Sequence, residues 1–463
     1  MPGRVIAGRN RRGGTEPWRP RAVLAGWTLP AIALAAAVAA VAGTIGPDAR
    51  WLGALGRSIL ERGAVPDQIP FAAAPSTGWN NVPVLAELIF RGLLSALGDR
   101  GLLAAQVVAA TLATVVIARD ARRLGATSAG TAVALGAVVV GGVLAFAGIR
   151  AQLFSLVLFP TLVALLRADE RSPSRRIWLL VPLVALWSNL HGAALLGLGL
   201  ALLYLLAYRF RRRAVESAGV AVACGLALCA TPTPAGTPGY YVGVITSEAA
   251  ARGYGLWAPL SLHSGFDLLL GAAVLVLLAG FVWRRPRPWQ LIAAAVLVVV
   301  TVHAARNGIW LLMFLAAPAA TALRVERPRT PLNFSIALVL AAGVIAGFVR
   351  GPLDPGASPR LIATAIAIAH GGPILAEPAV AEQIAEAGGR VWISNPLDAF
   401  RRADQRLYLD WLQGRRSGSR ALRGKTAVVV GAGSPADRRL LHDRRFAQAA
   451  TDGRFRVFTS PPS

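Results

Sequence analysis

Residues 177–208 read IWLLVPLVALWSNLHGAALLGLGLALLYLLAY, an apolar stretch that polar residues interrupt once, between Trp187 and Gly192. Arginines lie directly on both sides of the stretch. Each half approaches the roughly 20 apolar residues that a helix needs to cross a bilayer. Flanking arginines are typical of loops on the cytoplasmic face. The stretch therefore predicts two membrane helices joined by a turn at Asn189 to His191.

The same pattern recurs along most of the chain, in which 55% of residues are hydrophobic and 15% are charged. So many apolar blocks in series cannot all be buried in a water-soluble protein. They predict an all-α polytopic membrane helix bundle of about 11–12 transmembrane segments over residues 22–350. The segments are 22–45, 82–98, 101–118, 124–148, 151–167, 177–190, 191–208, 214–231, 266–283, 288–305, 307–323 and 331–349.

The formal charge of +25 comes from arginine clusters between the apolar blocks. No basic face or RNA-binding motif accompanies it, so nucleic acid is not an expected partner. Lys and Arg are enriched in cytoplasmic loops, which places the basic N-terminus 1–21 inside and loops 46–81 and 232–265 outside, together with residues 351–463. The clusters are Arg9–Arg21, Arg119–Arg123, Arg167–Arg176, Arg209–Arg213, Arg284–Arg287 and Arg324–Arg329.

Segment 82–98 does not fit this alternation, because counting it as a span puts Arg119–Arg123 outside. It is short and carries Glu87 and Arg91 near its centre. A charge at mid-bilayer is costly unless protein shelters it. A re-entrant or juxtamembrane position is therefore favoured for this segment.

Two regions on the predicted outer side have their own patterns. In loop 46–81, Trp51, Leu52, Leu55 and Ile59 share one helical face, which predicts a helix lying flat in the membrane interface. Residues 351–463 alternate between helix and strand patterns, which predicts a small α/β domain. Its predicted strands are 391–394, 427–430 and 456–459, and its predicted helices are 378–387, 403–412 and 436–449.

Six polar residues at the predicted outer ends of helices are candidates for binding a substrate. An arginine can grip a phosphate with two hydrogen bonds, and amide or imidazole groups can bind a sugar or an acceptor. Each also has an ordinary structural alternative, such as a helix-turn residue for Asn189 or headgroup snorkelling for an arginine. The candidates are Arg150, Gln152, Asn189, His191, Arg306 and Asn307.

Asp48 and Asp67 are the candidate catalytic residues. A base that removes a proton from an acceptor hydroxyl must be a carboxylate or a histidine within hydrogen-bond reach. Asp48 follows the first apolar segment, and Asp67 follows Pro66 in the first loop, where a turn role is the alternative. No metal-binding motif is present, so no metal ligand is assigned.

The chain resembles bacterial membrane glycosyltransferases of the GT-C superfamily, including their mannosyltransferase-like and oligosaccharyltransferase-like branches. Residues 65–71 (Val-Pro-Asp-Gln-Ile-Pro-Phe) resemble the first-loop pattern of that family. Residues 150–155 (Arg-Ala-Gln-Leu-Phe-Ser), 187–192 (Trp-Ser-Asn-Leu-His-Gly) and 306–307 (Arg-Asn) resemble further recurrent elements. Related proteins tend to carry an acid directly before a tryptophan in a later loop, where this chain has Leu256 before Trp257.

The resemblance implies transfer of a sugar from a polyprenyl-phosphate donor at the outer face of a bacterial inner membrane. The first-loop acid would act as base or bind a divalent metal, which is the only cofactor the resemblance leaves open. Membrane lipids are expected partners, and the glycan or protein acceptor is not specified. The alternatives are a non-catalytic protein that binds or translocates lipid-linked saccharides, and a transporter.

Overall fold

The computed structural model describes residues 26–323 and 330–460, so the arginine clusters at 9–21 and 324–329 lie outside the described residues. A helix bundle precedes residue 350, as predicted. Its helices are α1 (Thr28–Ala42), α2 (Ala49–Arg62), α3 (Val84–Leu97), α4 (Asp99–Arg123), α5 (Ser128–Gly141), α6 (Val143–Ala147), α7 (Gln152–Arg171), α8 (Leu180–Ser188), α9 (Ala194–Leu202), α10 (Ala214–Leu228), α11 (Thr237–Ile245), α12 (Glu248–Ala251), α13 (Gly265–Trp283), α14 (Pro288–His303), α15 (Gly308–Ala322) and α16 (Thr330–Val349).

Four helical segments in the described residues are long and apolar enough to cross a membrane, judged by length and composition: 99–123, 152–171, 194–211 and 265–283. Shorter apolar helices accompany them, including α1, α5, α10, α14 and Phe334–Val349 of α16. Helix α9 continues directly into a short π-helix, Leu203–Tyr208, whose turns are wider than those of an α-helix. This is a polytopic membrane bundle, and its span number of 11 or 12 remains a prediction.

Buried ion pairs fix the helices at one end of the bundle. Arg167 Nη1 lies 2.8 Å from Asp120 Oδ2, and Arg209 Nε lies 2.7 Å from Asp169 Oδ2. All four side chains are nearly inaccessible to solvent. Arg167 and Arg209 belong to the arginine clusters that the sequence analysis assigned to cytoplasmic loops. In the structure, both form ion pairs that connect elements of the bundle. We call this the paired-charge end.

Helix α3 is short for a membrane span. Its 14 residues rise only about 21 Å at 1.5 Å per residue, less than the roughly 30 Å of a hydrocarbon core. Glu87 is fully buried against α2 and the turn before α3, where its Oε2 accepts a 2.9 Å hydrogen bond from Asn81 Nδ2. Protein therefore shelters the charge that made this segment unusual, and the short length of α3 is what still favours a re-entrant or juxtamembrane position, which stays a prediction.

The region after residue 350 is a small α/β unit. Its helices are α17 (Pro359–Ala369), α18 (Pro378–Glu386), α19 (Arg402–Leu412) and α20 (Pro435–Leu441). Strands β3 (Leu375–Ala376), β4 (Ala427–Gly431), β5 (Ala447–Thr451) and β6 (Phe455–Thr459) form one sheet in the order β3-β4-β6-β5. Strand β3 pairs with β4 in parallel, and the other pairs are antiparallel.

Two predicted elements of this region were wrong. The segment 391–394 is not a strand, because only Val391 forms bridges and Pro396, which lacks an N–H group, follows soon after. The predicted helix 436–449 ends at Leu441, and residues 447–451 are strand β5. Pairing with β6 overrides the helix preference of this alanine-rich segment.

The helix of the first loop, α2, packs under the C-terminal region and is not a free interfacial helix. Its apolar face, with Trp51 and Leu55, belongs to the same hydrophobic core as the sheet strands. On its polar face, Arg50 forms ion pairs with Asp99, with Asp354 and, at 2.5 Å, with Glu386. The predicted amphipathic helix is therefore present, but protein covers both of its faces.

Candidate functional site

A cavity of about 790 Å³ lies between the other end of the bundle and the C-terminal region. Its walls come from α2, the loop before α7, the turn after α8, helices α11 and α14, the loop before α15, and residues 395–398. We call this end of the bundle the cavity end. Of the eight residues predicted from sequence, six line this cavity: Asp48, Arg150, Gln152, His191, Arg306 and Asn307.

A short parallel ladder brings the first two of these residues together. Strand β1 (Thr44–Ile45) follows α1, strand β2 (Gly148–Ile149) precedes Arg150, and the two strands pair in parallel. The amide of Gly46 also donates to the carbonyl of Ile149 at 3.0 Å. The ladder therefore holds the Asp48 loop beside Arg150.

Asp48 precedes α2 in a left-handed backbone conformation with φ of 77°. Its amide donates a 2.9 Å hydrogen bond to Glu382 Oε1 of α18, so its carboxylate is free to face the cavity. Burial raises the pKa of Asp48, while the charges of Arg150 and Arg306 act to lower it. The sequence analysis placed Asp48 at the end of the first transmembrane helix, but α1 ends at Ala42 and Asp48 belongs to the start of α2.

Arg150 and Arg306 supply positive charge to the cavity. Arg150 donates a hydrogen bond to Gln152 Oε1, and the guanidinium of Arg306 lies 3.9 Å from the ring centroid of Trp257. Burial and the neighbouring Arg150 lower the pKa of Arg306 to about 10, so it stays protonated at neutral pH. In the part of the chain that the structure describes, neither arginine forms an ion pair with a carboxylate. Their charges are available to an anionic ligand.

His191 is held as a neutral hydrogen-bond donor. Trp187 Nε1 donates to Ser155 Oγ at 2.7 Å, and Ser155 Oγ lies 2.7 Å from His191 Nδ1. The backbone amide of Ala193 also donates to His191 Nδ1, at 3.4 Å. Because Nδ1 accepts this hydrogen bond, Ser155 donates its hydroxyl proton to Nδ1, and the proton of the neutral imidazole is on Nε2. Burial, with Arg150 and Arg306 nearby, lowers the pKa of His191 to about 3. A neutral Nε2–H can donate to a phosphate or sugar oxygen.

Two of the predicted residues, Asn189 and Asp67, do not line the cavity, and the amide of a third, Asn307, is also hydrogen-bonded to the backbone. Asn189 does not line the cavity: its Nδ2 donates to the carbonyls of Ala185 at 2.9 Å and Ala230 at 2.7 Å. Asn307 lines the cavity, although its Nδ2 also donates to the Val300 carbonyl at 3.3 Å. Asp67 is exposed on the loop, away from the cavity lining.

Several cavity residues were missed by the sequence analysis. Tyr240 of α11, and Asn395 and Asp398 of the C-terminal region, line the cavity, and Glu382 lies directly behind Asp48. Burial raises the pKa of Glu382 to about 8 and that of Asp398 to about 6, and the charge of Asp48 adds to both shifts. The aromatic pair Tyr240–Tyr241 in a predicted outer loop was a visible signal, whereas Asp398 lies in no recognisable motif.

The cavity also has an apolar part that extends along the bundle. Leu195, Leu196 and Leu200 of α9 line it on one side, and Ile292 and Val296 of α14 line it on the other. Ile292 and Val296 are about half exposed, at 48% and 49%. In a membrane bundle such exposed aliphatic residues face lipid. The cavity therefore joins a polar part, where Arg150 and Arg306 lie with the acids Asp48, Glu87 and Asp398, to an apolar groove that is open toward lipid.

Among the described side chains, no group of three or more His, Cys, Asp or Glu residues is arranged to hold a metal ion.

The comparisons with known proteins identify a fold. No protein-family model matches the chain, and no curated protein matches it. The structure is similar to the crystal structure of ArnT from Cupriavidus metallidurans bound to undecaprenyl phosphate, with a TM-score of 0.50 and 13% sequence identity. The likeness covers 94% of this chain and 98% of that chain. The likeness shows that the two chains share a fold.

Proposed function

We propose that this protein is a membrane glycosyltransferase that takes its sugar from a polyprenyl-phosphate-linked donor. The observation that carries the proposal is the shape and charge of the cavity. Two arginines without carboxylate partners lie at the polar end, and an aliphatic groove open to lipid continues from it. A polyprenyl phosphate has the same two parts, an anionic headgroup and a long apolar chain. The fold shared with ArnT supports the same function.

Arg150 and Arg306 bind the phosphate in this proposal. Guanidinium groups match phosphate oxygens in geometry and keep their charge when buried. Gln152 accepts a hydrogen bond from Arg150 and so orients it. The Nε2–H of His191 donates to a further oxygen of the phosphate or the sugar. Together these groups stabilise the negative charge that grows on the phosphate as it leaves.

Asp48 acts as the base. It removes the proton from an acceptor hydroxyl, and the oxygen forms a bond to the anomeric carbon of the donor sugar. The bond between that carbon and the phosphate oxygen breaks, and the polyprenyl phosphate leaves with the electron pair. Direct attack from the opposite side inverts the configuration at the anomeric carbon. The cavity end of the bundle is proposed to face the outer side of a bacterial inner membrane, with the N-terminus cytoplasmic.

The proposal is tested by measuring the amounts of lipid-linked saccharides in a strain that lacks the protein. The donor is expected to accumulate, wild-type protein is expected to restore its normal level, and Asp48→Asn is expected to fail. Asp67→Asn is the matched control, because Asp67 is the other acid suggested by the sequence and lies outside the cavity lining.

Complementation by Asp48→Asn as efficient as by wild type would contradict the catalytic role. Accumulation of the saccharide on the inner leaflet alone would indicate the alternative, a non-catalytic protein that translocates lipid-linked saccharides. Cysteine labelling of an exposed position in the C-terminal region of intact cells tests the orientation separately, because labelling only after lysis would contradict an external C-terminal region.

A further inference from the structure

Asp398 is an acidic residue of the cavity that the proposed chemistry does not use. It follows Pro396 and Leu397 in the C-terminal region, and all three line the cavity. Among the described residues, no arginine, lysine or histidine forms an ion pair with its carboxylate. Its carboxylate is half-buried and accepts a hydrogen bond from its own backbone amide. A carboxylate in a cavity wall has lone pairs left to accept further hydrogen bonds from a ligand.

Helix α11 packs against Asp398 and also reaches the region of His191. A Cβ built on Gly243 would lie 3.8 Å from the Asp398 Cβ. One turn earlier on the same helix, the hydroxyl of Tyr240 lies 3.4 Å from a Cβ built on Gly192, next to His191. Tyr240 and Asp398 both line the cavity, so α11 connects the region of His191 with that of Asp398.

Charge is divided across the cavity. Arg150 and Arg306 line it together with the carboxylates of Asp48 and Asp398. Glu382, whose raised pKa of about 8 leaves it largely uncharged at neutral pH, accepts a 3.2 Å hydrogen bond from Asn395 Nδ2. An anion beside Arg150 and Arg306 is therefore attracted, whereas an anion beside the carboxylate of Asp398 is repelled.

We propose that Asp398, Asn395 and Tyr240 form an acceptor subsite for an uncharged sugar, and that this subsite disfavours phosphorylated acceptors. A carboxylate accepts hydrogen bonds from sugar hydroxyls, and a tyrosine supplies a further hydroxyl and an apolar ring face. A sugar held there presents a hydroxyl to Asp48, with its donor on the opposite side. The proposal rests on the proposed function and names the class of its acceptor.

The test compares a neutral glycoside with its phosphorylated derivative. Full-length protein in lipid nanodiscs, preloaded with undecaprenyl phosphate, is titrated with methyl α-mannopyranoside and with its 6-phosphate. Tryptophan fluorescence reports binding, because Trp79 and Trp257 line the cavity. Wild-type protein is expected to bind the neutral glycoside about tenfold or more tightly than the phosphorylated one, because the carboxylate of Asp398 repels the phosphate, which carries a charge of about −1.5 to −2. The loss of this preference in Asp398→Asn distinguishes repulsion from the larger size of the phosphorylated probe.

Asp398→Asn keeps the size of the side chain and removes its charge, so it is expected to lose most of this preference. Asp404→Asn, in the same region but outside the cavity lining, is the matched control and is expected to keep it. Tyr240→Phe serves as a second variant that changes no charge, and is expected to weaken binding of the neutral probe several-fold while the repulsion of the phosphate remains.

Three outcomes would overturn the subsite. Wild-type protein could bind neither glycoside, or it could bind both equally well. The third outcome is an Asp398→Asn variant that keeps the preference of wild type for the neutral glycoside. Binding of undecaprenyl phosphate is measured in the same preparations without glycoside. If wild-type protein does not bind undecaprenyl phosphate but still prefers the neutral glycoside, the proposed function is contradicted and the sugar subsite is not.

Discussion

The two ends of helix α7 hold buried charge in opposite arrangements. Near its C-terminus, at the paired-charge end, Arg167 and Asp169 each have an oppositely charged partner within 2.8 Å. Near its N-terminus, at the cavity end, Arg150 directly precedes the helix and forms no ion pair with a carboxylate in residues 26–323 or 330–460. The same helix therefore connects a region where charges satisfy each other with a region where they do not.

This difference separates two uses of a buried charge. A paired charge fixes the position of a helix, and removing one partner leaves the other unsatisfied and destabilises the protein. An unpaired charge contributes nothing favourable to folding, because its desolvation is not offset. We therefore expect substitutions at the paired-charge end to change stability, and substitutions at the cavity end to change binding and rate.

The largest expected effect is on the rate of sugar transfer. Asp48→Asn is expected to lower turnover by about 10²–10⁴-fold, the usual contribution of a positioned general base. Its thermal unfolding midpoint is expected to stay close to that of wild type, because the desolvation cost of the buried acid is removed together with its attraction to Arg150 and Arg306. Transfer of labelled sugar by purified protein in detergent measures the rate. Normal turnover of Asp48→Asn would show that Asp48 is not the base of the reaction.

A comparable effect, now on stability alone, is expected at the opposite end. Arg209→Met leaves Asp169 buried with only the hydroxyl of Tyr204 and the amide of Ser174 as donors. Breaking a buried pair in this way typically costs about 3–5 kcal/mol, which thermal unfolding in detergent detects. Arg209→Met with Asp169→Asn should recover part of the loss. Destabilisation that the second substitution does not relieve would show that the ion pair is not the cause.

A smaller effect is expected on lipid binding. Arg150→Gln is expected to weaken binding of undecaprenyl phosphate by about 10–100-fold, because a charged hydrogen bond to phosphate contributes about 1.5–3 kcal/mol. Unfolding should be unaffected, in contrast to Arg209→Met. Arg119→Gln, an exposed position on α4, is the control. A loss of stability with Arg150→Gln similar to that of Arg209→Met would remove the distinction between the two ends.

The smallest expected effect is a pH dependence of stability. The pKa of Glu382 rises from 4.5 to about 8 in the folded protein, so the folded state binds more protons than the unfolded state between these values. Stability from this residue is therefore present at low pH and lost as pH rises through that window. Glu382→Gln keeps the Oε1 acceptor for Asp48 and should flatten the decline, on the order of 1–3 kcal/mol at about pH 9. An unchanged pH profile of the unfolding midpoint would contradict a protonated Glu382.

The sequence predicted the bundle well because apolar length is a local property. The helices α13 and α14 lie within two residues of their predicted segments 266–283 and 288–305. Strand β5 was mistaken for helix because its partner β6 decides its conformation, and no local pattern reports that pairing. The apolar face of α2 was predicted correctly, but whether lipid or protein covers such a face depends on the distant C-terminal region.

The candidate site was predictable where polar residues interrupt apolar segments. Arg150, Gln152, His191 and Arg306 stood out for this reason, and the structure brings them into one cavity. Asn189 stood out equally, yet its amide binds backbone carbonyls. Asp398 could not be found, because an acid in a water-exposed region is unremarkable until the fold places it against the bundle.

The hydrogen bond from Asp48 to Glu382 joins residues separated by 334 positions. The ribosome therefore makes the acid of the proposed reaction long before the residue that fixes its backbone. Until α18 has been synthesised and docked, one wall of the cavity is absent and Asp48 lacks this support. We expect a chain truncated before α18 to insert most of its helices into the membrane but to be inactive. The proposed activity would then require synthesis of the chain through α18.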